Sequence, residues 1–209
     1  YDHIYPRGRS GETLRAYDTL NGDRPCVIKR PALQDAPPIR AGQELSILNE
    51  KRALEQLRGH PVLCELLHSG TFRIGGQQHQ YIVIEMATGE TLEALTLALA
   101  AQGTRLPDLE LLTILEGVLD LLQAAHDKRI VYNDVDAKHV FWDREAYRLK
   151  MIDWGNAVFL DSETHGHVTR HADIAQVGQL LYFLLSGGRR LDLNRPEAVN
   201  DLPESVAPR

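Results

Sequence analysis

The sequence has 209 residues, about 1.4 times an average domain of roughly 150 residues, which predicts one large domain or two small lobes. Its composition, 43% hydrophobic and 25% charged with 16 Gly and 10 Pro, is globular and excludes a disordered or collagen-like chain. The net charge of −6 provides no general attraction to nucleic acid or to an anionic membrane surface, so we expect no nucleic-acid partner.

The cysteines and the apolar runs exclude two further classes of protein. Cys26 and Cys64 are the only cysteines, which is too few for a zinc quartet or a disulfide framework and favours a reducing, cytoplasmic location. The longest apolar stretch, residues 92–101, is well short of the roughly 20 residues that cross a bilayer, so we expect no membrane span.

The chain is predicted to open with a small antiparallel sheet. Apolar and polar residues alternate over residues 1–34 in the period of a strand. Asn21-Gly22 separates two such runs, and this dipeptide is a strong signal for a hairpin turn. Two or three antiparallel strands are therefore expected at the start of the fold.

A single helix and two more strands are predicted next. After a break at Pro37-Pro38, residues 41–57 have a helical pattern in which Glu50 lies on the apolar stripe. The runs 64–73 and 80–86 then alternate as strands and are joined through two glycines. These segments complete a small unit that is mostly β.

Helices dominate the second half of the chain. Thr91 is a predicted N-cap, and a long helix is expected after Pro107. Two short apolar strands, residues 130–132 and 150–152, each lead into a loop that contains an aspartate, and a last helix is predicted over residues 174–185. The predicted apolar face of the long helix consists of Leu109, Leu112, Leu119 and Leu122.

Four short motifs follow one another in a recognisable order. They are Gly8-Arg9-Ser10-Gly11, Val27-Ile28-Lys29, IVYNDVDAKHV at residues 130–140, and MIDWG at residues 151–155. Over roughly residues 1–188 this series resembles a protein kinase domain. The resemblance implies an α+β, bilobal fold with a small β-rich N-lobe containing one key helix (1–88) and a larger helical C-lobe (89–209), with a shortened activation segment and C-terminal part.

The resemblance implies a nucleotide site for ATP in the first lobe. Gly8 and Gly11 would let the backbone approach the phosphates, and Lys29 would pair with them. A glutamate from the helix would hold the lysine. Glu50 is the predicted partner because a carboxylate on an apolar stripe needs a cation, with Glu44 as the runner-up.

The base of the nucleotide would bind at the end of the last strand of this lobe. The sequence YIVIEMA at residues 81–87 is similar to the strand and hinge of the family, in which backbone groups contact the base edge. The resemblance therefore implies that Glu85 and Ala87 contribute backbone contacts. A buried strand that runs into a linker would give the same pattern.

The resemblance implies catalytic and metal-binding roles in the second lobe. Asp134 would accept the proton of the attacking hydroxyl, and Asp153 would hold Mg²⁺ or Mn²⁺. Asp136 replaces a phosphate-contacting lysine of the family, which is unfavourable unless a metal or a cation such as Lys138 compensates. His139 replaces a metal-binding asparagine; it is either a metal ligand better suited to Mn²⁺ or Zn²⁺ or a solvent-exposed loop histidine.

The segment after Asp153 is shorter than the resemblance would require. Asp173, which resembles the aspartate that opens the next large helix, follows Gly155 by 18 positions, and Ala-Pro-Glu is absent from the sequence. His165, His167 and His171 in this region indicate a polar loop rather than a metal cluster.

Three functions fit the pattern of retained and replaced residues. The first is phosphoryl transfer from ATP to a Ser/Thr hydroxyl of a protein, weakened by the altered catalytic loop. The alternatives are a pseudokinase scaffold that binds nucleotide or a partner protein, and a small-molecule phosphotransferase of related fold.

Overall fold

The computed structural model describes residues 3–4, 11–160 and 169–191. The N-terminal part is one antiparallel sheet packed against a single helix, α1 (Pro37–Gln56). Its strands are β1 (His3–Ile4), β2 (Glu12–Asp18), β3 (Arg24–Arg30), β4 (Leu66–Ile74) and β5 (Gln77–Glu85). They lie in the order β1-β2-β3-β5-β4, so β3 is the central strand.

The predicted hairpin between β2 and β3 is confirmed. Asp18 accepts a hydrogen bond from the backbone of Leu20 at 3.2 Å and so starts a short 3₁₀ turn over Thr19–Asn21. Gly22 ends this turn with φ of 74°, a left-handed conformation that glycine adopts at no steric cost. The turn sets a register in which Thr13 on β2 faces Lys29 on β3.

Helix α1 begins earlier than the sequence pattern predicts. Pro37 and Pro38 lie in its first turn rather than before it, because the N–H that proline lacks would have no helical partner there. The predicted apolar stripe is confirmed: Ile47, Glu50 and Leu54 are all buried against the sheet side of the molecule.

The C-terminal part is mainly helical. Its helices are α2 (Leu92–Ala101), α3 (Asp108–Asp127) and α4 (Arg170–Leu185), and Thr91 caps α2 as predicted. Its short strands are β6 (Glu90–Thr91), β7 (Ile130–Val131), β8 (Val140–Asp143), β9 (Arg148–Met151) and β10 (Val158–Phe159). They form a β6-β8-β9 sheet and a β7-β10 pair, of which only β7 and β9 were predicted from the sequence.

The prediction for the apolar face of α3 is wrong for three of its four leucines. Leu109, Leu112 and Leu119 are exposed, and only Leu122 is buried. Leucines occur all round this helix, so the spacing alone fits more than one face, and packing against the rest of the C-terminal part selects another one. The buried residues of α3 are Glu110, Leu111, Ile114, Val118, Leu121, Leu122, Ala125 and His126.

A β-rich N-terminal part followed by a helical C-terminal part confirms the predicted α+β, bilobal arrangement. Both parts contribute to one cluster of buried apolar side chains, from Ile47 on α1 to Leu185 on α4. The division at residues 88 and 89 stays a prediction. Among the described helices, none is both long enough and apolar enough to span a membrane.

A buried carboxylate fastens α3 to the β6-β8-β9 sheet. Glu110 accepts hydrogen bonds from Trp142 Nε1 at 2.8 Å and from Arg144 Nε and Nη2 at 3.0 and 2.7 Å. The hydrogen bond from Arg144 lowers the pKa of Glu110 below its ordinary value. Burial alone would raise this pKa, and the hydrogen bond from Trp142 adds to the lowering. The charged form is therefore the one that stabilises the fold.

We expect Glu110→Gln to lower the free energy of unfolding at neutral pH, by about 1–3 kcal/mol, because it weakens a charge-assisted network. Since the folded-state pKa is depressed, this contribution is present above the unfolded pKa of about 4.3 and is lost as pH falls through the folded pKa. Urea unfolding of both proteins between pH 7 and pH 3 should show the difference shrinking below about pH 4.5. Glu55→Gln, at a half-exposed carboxylate 3.8 Å from Lys51, is the control and should change little.

Candidate active site

Lys29 is held by two carboxylates that come from distant parts of the chain. Its Nζ lies 2.8 and 2.7 Å from the two oxygens of Glu50 on α1, and 3.2 Å from Asp153 Oδ1 after β9. Lys29 and Glu50 are only 6% and 1% exposed, so the ion pair is buried. The predicted pairing of Lys29 with Glu50 is confirmed, and Asp153 joins it.

The carboxylates keep the ammonium group of Lys29 charged inside the protein. Burial alone would lower the pKa of Lys29, but Glu50 and Asp153 outweigh this effect and raise the pKa above its ordinary value. The site therefore presents a fixed cation next to an acidic group from the C-terminal part.

Glu44, the alternative partner for Lys29, has a different contact. Its Oε1 lies 2.7 Å from Nδ1 of His79, a buried residue on β5. Glu44 precedes Glu50 by less than two turns of α1, but only Glu50 is directed at β3. Glu44 thus ties the helix to the sheet, and the choice of Glu50 was correct.

The segment Asp153-Trp154-Gly155 packs directly against α1. Trp154 is fully buried, its ring centroid lies 4.6 Å from that of Tyr132, and its backbone N–H hydrogen bonds to Glu50. A Cβ at Gly155 would meet the hydroxyl of Ser46 on α1, so a larger residue there would require the Ser46 side chain to move. Asp153 itself adopts φ of 64°, a conformation that is uncommon outside glycine and that turns the chain sharply after β9.

The loop that carries Asp134 is organised by Asp173, which is fully buried in α4. Asp173 accepts hydrogen bonds from the backbone N–H groups of Tyr132 at 3.0 Å and Asn133 at 2.7 Å, and it lies 2.7 Å from His126 Nε2. These bonds hold Asn133 at φ of 63° immediately before Asp134. The sequence pattern indicates Asp173 only as the start of a helix and does not reveal its contacts with this loop.

Gln176, one helical turn after Asp173, makes a second anchor for the same loop. Its Oε1 accepts a hydrogen bond from the backbone of Val135 at 2.8 Å. Residues three apart on a helix share a face, which is the signal that could have identified Gln176 from the sequence. The first turns of α4 therefore fix both sides of Asp134.

Asp134, His139 and Asp153 converge on one point. Nδ1 of His139 lies 3.1 Å from the carbonyl oxygen of Asp134, and Nε2 lies 3.6 Å from Asp153 Oδ2. One ligand atom from each residue can be chosen so that all three lie within 4.8 Å of one another. Two carboxylates and an imidazole are suitable ligands for a divalent metal ion, so these residues fit such an ion.

The Asp134 carboxylate has a further neighbour that the sequence analysis missed. Asn156 Nδ2 donates a hydrogen bond to Asp134 Oδ2 at 2.9 Å. Asn156 follows the Asp153-Trp154-Gly155 segment directly, so the two loops are joined by this contact. It fixes the orientation of a carboxylate whose side chain is 28% exposed.

Asp136, which stands where the resemblance expects a lysine, lies near two cations, Arg190 and Lys138. Arg190 Nη1 lies 3.3 Å from Asp136 Oδ2, whereas Lys138 Nζ lies 4.0 Å from it. Burial alone would raise the pKa of Asp136, but the Lys138 backbone N–H and both cations lower it. Arg190 also pairs with Glu93 on α2 at 3.3 Å. No local pattern could reveal Arg190, since 54 residues separate it from Asp136.

The structure describes only some of the residues that were predicted to contact the phosphates and the base of the nucleotide. Gly8 lies outside the described residues, as do His165 and His167. Gly11 has φ of 95°, and a side chain there would collide with the backbone carbonyl of Arg30, so packing alone requires glycine. Ala87 follows β5 in the connection to β6. Their nucleotide contacts stay predictions.

Glu85, the last residue of β5, connects the two halves through its side chain. Its carboxylate lies 3.0 Å from Lys150 Nζ on β9 and 3.6 Å from Arg24 Nη2 on β3. Lys150 also donates to the carbonyl oxygen of Leu63 at 2.9 Å. Burial alone would raise the pKa of Glu85, but the hydrogen bonds from Lys150 and from the backbone of Glu65 lower it.

Comparison with known proteins agrees with this geometry. The family model described as Protein kinase domain matches residues 6–183. The cAMP-dependent protein kinase catalytic subunit PRKX of Mus musculus is 28% identical over 173 residues, which cover 75% of this chain and 45% of that protein. The "Probable serine/threonine-protein kinase fnkB" of Dictyostelium discoideum is 32% identical over 138 residues, covering 65% of this chain and 23% of that protein. The chain thus spans less than half the length of either relative.

We expect Lys29→Met to lower the free energy of unfolding by about 3–5 kcal/mol, because it leaves the buried Glu50 carboxylate without its cation. The double variant Lys29→Met/Glu50→Leu should recover most of this loss, since it removes both charges. Urea denaturation at pH 7 measures both effects.

The matched control is Lys51→Met, at the residue beside Glu50 on the same helix. Lys51 lies 3.8 Å from Glu55 in a partly exposed pair, so its loss should cost no more than about 1 kcal/mol. A double variant as unstable as Lys29→Met alone would contradict the ion-pair account.

Proposed function

The chain belongs to the protein kinase domain family, and on that premise we propose that it binds ATP with a divalent metal ion and transfers the γ-phosphoryl group to a Ser/Thr hydroxyl of a protein. One observation carries the proposal. Lys29 Nζ lies within hydrogen-bond distance of both Glu50 and Asp153, so a cation for phosphate and a carboxylate for metal face each other. The name of one relative, "Probable serine/threonine-protein kinase fnkB", supports the proposed acceptor.

Each residue of the site has a part in the proposed transfer. Lys29 binds phosphate oxygens, and Asp153 and His139 hold the metal ion, which supplies neutralisation of the phosphate charge. Asp134 orients the attacking hydroxyl. As the new P–O bond forms and the bond from γ-phosphorus to the bridging oxygen breaks, the hydroxyl proton passes to the Asp134 carboxylate.

The replaced residues in the loop that carries Asp134 favour weak phosphoryl transfer over a complete loss of transfer. Asp136 occupies the position of a phosphate-contacting lysine, and its charge is already matched by Arg190 at 3.3 Å. Loss of one preorganised contact to the transition state costs on the order of 3 kcal/mol, about a hundredfold in rate. Binding of nucleotide depends on Lys29 and Asp153, which are retained, and so should suffer less than turnover.

A small-molecule acceptor is the second candidate, and one observation favours it. Helix α4 begins at Arg170, 15 positions after Gly155, which leaves a short segment between the metal-binding loop and the next helix. The corresponding segment of protein kinases docks the protein substrate, so its shortness favours a smaller acceptor. A pseudokinase that binds nucleotide without transfer is an outcome of the tests below.

We expect ATP with Mg²⁺ or Mn²⁺ to raise the melting temperature of the wild-type protein, because binding to the native state alone stabilises it. Lys29→Met should abolish this shift, measured against the melting temperature of the same variant without nucleotide. Lys51→Met should retain it. An undiminished shift in Lys29→Met would show that Lys29 is not a phosphate ligand.

We expect slow phosphoryl transfer that depends on both acidic residues. Radiolabelled transfer to the protein itself, to a generic protein acceptor and to small hydroxyl compounds should fall about a hundredfold or more in Asp134→Asn and in Asp153→Asn. Asp134→Asn should keep the nucleotide-induced thermal shift, whereas Asp153→Asn should lose its metal dependence.

Asp120→Asn, at a carboxylate on α3 whose side chain is 71% exposed, is the control and should transfer at the wild-type rate. Transfer at ordinary kinase rates, about 1–100 s⁻¹, would contradict the weak-enzyme proposal. Nucleotide binding without any transfer would identify a pseudokinase.

A further inference from the structure

The histidine of the metal-binding group is positioned by the protein rather than left in solvent. His139 is 7% exposed, at the end of a short 3₁₀ turn over Ala137–His139. Its backbone N–H bonds to Asp136 O at 2.9 Å, and its carbonyl accepts from Ile152 N at 3.0 Å. The alternative of a solvent-exposed loop histidine is therefore wrong, and the imidazole has a fixed orientation between Asp134 and Asp153.

The hydrogen-bond pattern assigns the proton of the imidazole to Nδ1. This atom lies 3.1 Å from the carbonyl oxygen of Asp134, which can only accept a hydrogen bond. In the neutral ring Nε2 then carries a lone pair. That lone pair is on the side of the ring that faces Asp153.

Nε2 and the Asp153 carboxylate face each other at a distance that suits a shared cation. Nε2 lies 3.6 Å from Asp153 Oδ2, which is too long for a hydrogen bond between them. Two metal–ligand bonds of about 2.1 Å each reach across this gap with the ion to one side of the line between the atoms. The other oxygen, Oδ1, is directed at Lys29 Nζ, so the carboxylate can serve lysine and metal at once.

We propose that this site binds a first-row transition metal ion, with Mn²⁺ as the probe, in preference to Mg²⁺, through Nε2 of His139 and Oδ2 of Asp153. The inference rests on the proposed function and deepens it by naming the class of metal. Mg²⁺ demands oxygen ligands and gives up water reluctantly, whereas imidazole nitrogen suits transition metals. Mn²⁺ also accepts carboxylate oxygen, so a mixed nitrogen and oxygen site favours it over Mg²⁺.

The decisive variant is His139→Asn, which replaces the nitrogen ligand by the amide oxygen that the family resemblance expects at this position. We expect the affinity ratio of Mn²⁺ to Mg²⁺ to fall about tenfold or more, because changes around a metal ligand commonly cost 10–100-fold in affinity. Competition of Mg²⁺ against bound Mn²⁺, followed by electron paramagnetic resonance with and without ATP, measures the ratio.

A spectroscopic signature tests the ligand itself and needs no activity. Mn²⁺ bound to the wild-type protein should show electron spin-echo modulation from a directly bound nitrogen, and selective ¹⁵N labelling of histidine should change it. The modulation should be absent in His139→Asn. His171→Asn, at an exposed histidine at the start of α4, should keep both the modulation and the metal preference.

The outcomes separate this inference from the proposed function. Wild-type protein that binds Mn²⁺ and ATP without histidine modulation, or with an unchanged metal preference in His139→Asn, would overturn the inference and leave the proposed function standing. Histidine-bound Mn²⁺ without ATP binding would support the inference and overturn the proposed function. Binding of neither Mn²⁺ nor ATP by the wild-type protein would overturn both, whatever the stability of the variant.

Discussion

A buried lysine and a buried glutamate must neutralise each other's charge, and much of this site depends on that constraint. The Lys29–Glu50 pair joins the central strand of the sheet to α1, and Asp153 adds a carboxylate from the other half of the chain. Without the ammonium group, two acidic residues would lie close together in a poorly solvated place. The same cation that fastens α1 to the sheet therefore also brings the loop that carries Asp153 into position.

The second organising element is a buried carboxylate that contacts backbone rather than a side-chain cation. Asp173 lies in α4, and besides its contact with His126 it accepts hydrogen bonds from the backbone of the two residues that precede Asp134. They hold a backbone conformation that asparagine adopts only occasionally. Helix α4, which begins at Arg170, therefore determines the orientation of Asp134.

The sequence allowed prediction of the residues whose chemistry is local and whose order is distinctive. Lys29, Asp134 and Asp153 come shortly after apolar residues, and Glu50 is an acidic residue on an apolar stripe, so each stands out against its neighbours. The meeting of Lys29 with Glu50 therefore followed from the sequence.

Other features depended on packing that no local pattern contains. Leucines surround α3, so its buried face was predicted wrongly, and only the tertiary neighbours decide which side turns inward. Arg190 reaches Asp136 from a place 54 residues away, and a charge in a polar stretch gives no indication of its partner. The first turn of α1 was missed because proline was taken as a break, although a helix tolerates it there.

The contacts of Lys150 restrict how the two halves can move. This lysine, on β9, holds Glu85 at the end of the sheet and the carbonyl of Leu63 in the loop before β4. Lys29 and Asp153 make a second contact between the halves, at 3.2 Å. Two separate ion pairs, Glu85–Lys150 and Lys29–Asp153, therefore connect the sheet of the N-terminal part to the segment around β9. A motion that separates Lys29 from Asp153 while Lys150 keeps its contacts would break only one of these two connections.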